Sequence, residues 1–107
     1  MRRLLTATAL FAPLALLALP QTAKAETVEE FYRGKQIKVI IRSTPGGSYD
    51  LYSRLIARFI GKHIPGNPTT LPLNMPGGGG LLAVNHVANI AAHDGTVLTI
   101  PALGIGM

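Results

Sequence analysis

The chain has 107 residues, a formal charge of +5, three histidines and no cysteine. Without cysteine it can form neither a disulfide framework nor a thiolate metal site, and it lacks the cysteine that a lipid anchor requires at a leader cleavage site. The basic excess is concentrated near the amino end, and no arginine-rich or aromatic-interleaved basic run points to nucleic acid.

Arg2 and Arg3 precede an apolar stretch, Leu4 to Leu19, broken by Pro13, and Ala23-Lys24-Ala25 follows. A basic head, a short apolar core and an Ala-x-Ala exit describe a secretory signal peptide over residues 1–25. The stretch is too short and too interrupted to read as a spanning helix. Its removal takes Arg2, Arg3 and Lys24 away, leaving 82 of the 107 residues and a charge of +2 instead of +5. The product is expected to be exported, periplasmic and free of a membrane anchor.

Residues 26–107 then alternate in type. Thr27 and Glu30 have the spacing of a capping box, which predicts a short helical turn ended by Gly34. Gln36 to Arg42 (QIKVIIR) is β-branched and apolar and predicts a strand covered on both faces. Ser48 to about His63 predicts a helix: Leu51, Leu55, Ile56, Phe59 and Ile60 form one apolar stripe, with Arg54, Arg58 and Lys62 opposite. Pro65-Gly66-Asn67-Pro68 stops it. Thr69 to Asn74 is extended, and Pro72 assigns it to an edge or an irregular strand. Leu81 to His93 predicts a second helix, Asp94-Gly95 a turn, and Thr96 to Ile100 a third strand. The expected fold class is α/β, a β-α-β-α-β parallel sheet with helices packed on it and right-handed crossovers. Three strands leave such a sheet with open edges, so the unit reads as cut rather than finished.

Two loops follow strands and open helices: Ser43-Thr44-Pro45-Gly46-Gly47-Ser48-Tyr49-Asp50, and Asn74-Met75-Pro76-Gly77-Gly78-Gly79-Gly80. In open α/β sheets ligands bind beyond the carboxyl ends of the strands. Glycine lets a ligand approach the main chain, and helix N-termini present free amides and a positive dipole end to an anion. The plainer alternative is ordinary turn chemistry, with Ser48 as N-cap, or Gly47 as N-cap and Asp50 in the first turn.

The stretch from Phe31 to Ile100 resembles the N-terminal part of the Bug family, the substrate-binding receptors of tripartite tricarboxylate transporters. The resemblance runs through QIKVIIR, TPGGSYD, LYSRLIARFIGKHIPG, NMPGGGG and HDGTVLTI. It implies one partial lobe of a type II-like periplasmic binding protein, which closes on a small carboxylic acid and delivers it to an inner-membrane permease. It further implies ligand contacts at Thr44, Pro45, Gly46, Gly47 and Ser48, and at Asn74, Pro76, Gly77, Gly78 and Gly79. Asp50, which would repel an anion, is expected to cap the helix or order water. Neither cofactor nor catalysis is implied. The chain departs from the family pattern in Arg42-Ser43-Thr44, where an apolar run is usual, in a glycine where alanine is common in the second loop, and in its length. Arg42 would add positive charge to the cleft if it points there; an exposed strand end is the alternative.

Other motifs are weaker. Gly46-Gly47-Ser48-Tyr49-Asp50 is one residue from a nucleophile elbow, which leaves a small exported serine hydrolase using Ser48 as a distant rival. No Gly-Lys-Ser/Thr follows the glycine run, and no dinucleotide fingerprint is present. His86 and His93 are too far apart along a helix to share a metal ion, and His63 and His93 read as helix-end residues. A third expectation is a truncated receptor fragment without function of its own.

Overall fold

A computed structural model describes residues 24–101. The expected leader lies outside the described residues apart from Lys24 and Ala25. Five principal elements follow one short helix: α1 (Val28–Tyr32), β1 (Gln36–Ile41), α2 (Ser48–Ile60), β2 (Thr69–Asn74), α3 (Leu81–Asn89) and β3 (Val97–Thr99). The strands form one parallel sheet in the order β2-β1-β3. The α/β class and the alternation of strands and helices are as the sequence leads one to expect.

Local chemistry accounts for the elements. Thr27 Oγ1 accepts from the Glu30 amide at 3.1 Å, and Glu30 Oε2 accepts from the Thr27 amide at 2.9 Å, so the capping box is complete in both directions. Tyr32, at the end of α1, donates its hydroxyl to the Gly95 carbonyl at 2.9 Å and anchors α1 to the turn before β3. In that turn Asp94 Oδ1 accepts from the Thr96 amide at 3.0 Å, an Asx turn. The central strand is covered on both faces: Ile37, Val39, Ile40 and Ile41 are all buried. Ile37 and Val39 pack with Ala57 of α2, whereas Lys38 and Ile40 line a depression with His86 and Ile90 from α3 and its end. Side chains alternate across a strand, so α2 and α3 lie on opposite faces of the sheet. That arrangement is what right-handed crossovers require of the order β2-β1-β3.

The packing of α2 corrects the expected apolar stripe. The buried face carries Asp50, Ser53 and Ala57, while Leu51, Leu55, Ile56 and Phe59 are 67%, 52%, 44% and 44% exposed. Small residues win because they let the helix lie close to the strand edge. Thr70 Oγ1 donates to the Ala57 carbonyl at 2.6 Å, and a β-carbon on Gly61 would sit 2.3 Å from the Pro68 carbonyl oxygen.

The second helix is also shorter than its apolar periodicity suggests. It ends at Asn89, where the amides of Ile90 and Ala91 both donate to the His86 carbonyl, at 2.9 and 2.8 Å. His93 thus lies beyond the helix, with a ring nitrogen 3.1 Å from the Val87 carbonyl. α2 likewise ends at Ile60, with a tighter single turn over Gly61–His63.

Candidate functional site

The register of the sheet decides where the two glycine loops meet. β1 and β2 pair in parallel from Gln36 opposite Thr69 to Ile41 opposite Asn74, so both strands end at the same height. The Met75 amide donates to the Ile41 carbonyl at 2.7 Å and holds that register to the last residue. The loops that follow, 43–47 and 75–80, therefore leave the same edge of the sheet. The first enters α2 on one face; the second returns to α3 on the other, and on its way Gly79 and Gly80 come against Arg42 at the end of β1.

Asp50 ties the loops together. Its carboxylate accepts from the Gly46 amide at 2.9 Å, from Arg54 Nε at 2.9 Å and from Asn74 Nδ2 at 2.8 Å. Asn74 completes the network: Nδ2 also donates to the Ser43 carbonyl at 2.8 Å, and Oδ1 accepts from Arg54 at 2.7 Å. The hydrogen bond from Asn74, then that from the Gly46 amide, and then Arg54 hold the Asp50 carboxyl below its ordinary range, against the opposing effect of burial. The carboxylate is thus held ionised by three protein donors. Its negative charge is neutralised locally, which leaves the loops themselves free to attract an anion.

The remaining residues expected at the site fall into two groups. Thr44, Pro45, Gly46, Gly47 and Ser48 are exposed on the first loop, and Pro76, Gly77, Gly78 and Gly79 are exposed on the second. Asn74 is half-buried, with its amide engaged in the network. Gly47 is the N-cap of α2, Ser48 is the first helical residue, and Asp50 lies in the first turn, the second of the two capping arrangements considered above. Neither Gly47 nor Gly80, the N-cap of α3, supplies a side-chain cap; at α3 the Gly80 and Leu82 amides donate instead to the Gly77 carbonyl, and that of Leu81 to Gly78. The second loop can follow its path only as glycine: Gly77, Gly78, Gly79 and Gly80 have φ of 148°, 55°, 64° and 101°.

Arg42 is the residue whose placement the sequence left open, and its side chain lies over the loops. Its guanidinium carbon is 3.5 Å from the centroid of the Tyr49 ring, and NH1 is 3.4 Å from the Gly79 carbonyl. Tyr49 was not among the expected site residues; only its position, next to Ser48 in the first turn, hinted at a part in the site.

This arrangement can hold an anion by main-chain donors and one cation. It is an open surface: three depressions elsewhere among the described residues, of about 290, 270 and 190 Å³, are lined by other residues. Among the described residues no histidine hydrogen-bonds to Ser48, and no group of three or more histidine, aspartate or glutamate side chains could hold a metal ion.

The chain matches no family model, no curated protein and no solved structure.

Proposed function

We propose that this chain is part of a periplasmic solute-binding receptor of the tripartite tricarboxylate type, and that it binds a small carboxylic acid on its two glycine loops. The observation that carries the reading is the pair of exposed glycine loops, brought side by side by the strand register and fastened by Asp50 and Asn74. An open α/β sheet binds ligands beyond the carboxyl ends of its strands, and the order β2-β1-β3 reverses direction at β1. Exposed amides of Gly47, Ser48 and Gly77–Gly79 are the donors that would take the carboxylate oxygens; that of Gly46 is already held by Asp50. The Bug-like succession of motifs favours this ligand class over other anions.

The proposed mechanism is capture followed by closure. The carboxylate settles on the preformed loops, whose geometry changes little because the Asp50 network fixes it. A second lobe then covers the open surface, and the closed receptor delivers its ligand to an inner-membrane permease. No bond is made or broken, so the chain is not an enzyme in this reading.

A thermal-shift panel of mono-, di- and tricarboxylates on the full chain tests the proposal. Binding to the native state raises Tm by mass action, with about 2.7 kcal/mol of stabilisation at a hundred times Kd. At least one carboxylate should raise Tm in a concentration-dependent way that its uncharged amide does not. No shift with any member of the panel would contradict the reading.

A further inference from the structure

We propose that Arg42 is the ion-pairing residue of the two-loop site, taking a carboxylate of the bound acid directly on its guanidinium. The inference rests on the carboxylate-receptor reading above and adds a side chain to a site otherwise built from main-chain donors.

Three observations converge on it. The first is position. Arg42 follows the last residue of β1, and its side chain lies between the two helix starts, stacked on Tyr49 at 3.5 Å and 3.4 Å from the Gly79 carbonyl. Its stem lies so close to Gly80 that a β-carbon there would be 2.9 Å from Arg42 Cδ. A long cationic side chain is thereby confined to one place, where an ordinary surface arginine would sample many.

The second observation is the lack of a charge partner. Among the described residues the ion pairs are Lys24–Glu30, Arg33–Glu29 and Arg54–Asp50, and none involves Arg42. Asp50, the acid of the first loop, is already engaged by Gly46, Arg54 and Asn74. The bond from NH1 to Gly79 is long for N–H···O, and therefore weak.

The third is unsatisfied polarity. Arg42 Nε and the neighbouring Ser43 Oγ are buried without a hydrogen-bond partner among the described residues. Buried donors are nearly always paired, so an Nε without a protein partner leaves the Arg42 guanidinium unsatisfied within the chain. A guanidinium stacked face-on to an aromatic ring keeps its N–H groups in the plane for a second partner, and its fork matches a planar carboxylate.

The opposing account makes Arg42 a brace between the loops, with no contact to ligand. Isothermal titration of the full chain with succinate, at about 20 and about 200 mM NaCl, separates the two through the electrostatic share of binding. Replacing Arg42→Gln should weaken succinate binding about tenfold or more, the loss expected for a hydrogen bond to a charged group, and should flatten its salt dependence. Arg42→Lys should restore the salt dependence and only part of the affinity, because lysine lacks the fork. A folded Arg42→Gln variant that binds succinate like the parent, with the same salt dependence, overturns the proposal and leaves the carboxylate reading standing. A parent chain that binds neither succinate, acetate nor citrate overturns both. Phenylglyoxal labelling of the parent chain keeps the question decidable if the variants fail to fold. Succinate should slow modification of Arg42 relative to the exposed Arg58, and equal rates with and without succinate would refute the ion pair.

Discussion

Asn74 Nδ2 donates to Asp50 Oδ1 at 2.8 Å, across 24 residues of sequence, and this contact joins the end of β2 to the first turn of α2. The same amide nitrogen reaches the Ser43 carbonyl, so one side chain fixes the second strand, the first loop and the helix that follows it.

Replacing Asn74 should therefore unfasten both loops. Asn74→Leu keeps the volume but removes the partners of Ser43, Asp50 and Arg54. Leaving such groups unsatisfied costs about 1–3 kcal/mol. Urea denaturation monitored by circular dichroism should show a lower midpoint. Succinate binding should fall with it, because the loops lose their common anchor.

The Asp50 carboxyl is held below its ordinary range in the folded chain, chiefly by Asn74 and the Gly46 amide. Glu30 and Asp94 are lowered as well, by Thr27 and by Thr96. A lowered carboxyl contributes stability above its unfolded pKa, near 4, and that contribution is lost as pH falls through the folded value. Tm should be flat with respect to these groups above about pH 5 and should decline below about pH 4. Asp50→Asn should be less stable near neutrality and should lose part of that acid-dependent decline. An unchanged pH profile in Asp50→Asn would show that the carboxylate is not held as described.

The two faces of α2 should respond oppositely to substitution. Ala57 is 2% exposed against Ile37 and Val39, so Ala57→Leu overpacks the contact and should cost about 1–3 kcal/mol. Leu55 is 52% exposed, and Leu55→Ala should change stability by no more than about 0.5 kcal/mol. The pattern of the apolar residues alone gives the reverse ranking, so chemical denaturation of the two variants decides which face packs.

That helix also marks the limit of what periodicity can reveal. Leu51, Leu55, Ile56 and Phe59 form an apolar stripe in sequence, yet close approach to the strand edge favours Ser53, Ala57 and Gly61, whose advantage is steric and appears only once Thr70 and Pro68 are in place. Local signals were readable where the chemistry is local: Thr27 with Glu30, Gly47 with Asp50 in the first turn, Pro72 on a strand that, among the described residues, pairs only with β1. The length of α3 was overestimated because Ile90 to His93 continues its apolar, helix-compatible composition. The two glycine loops were legible as candidates, but their adjacency follows from parallel register. The position of Arg42 and the link from Asn74 to Asp50 depend on contacts 37 and 24 residues apart, beyond any window of local pattern.

The most direct test of the carboxylate site is a ¹⁵N-amide NMR titration of the chain with succinate. Saturable shifts are expected in the amides of Gly47, Ser48 and Gly77 to Gly79, with little change in Ile37 to Ile40. Saturable binding that shifts a different set of amides, or a spectrum unmoved by succinate, acetate and citrate alike, would contradict the carboxylate site.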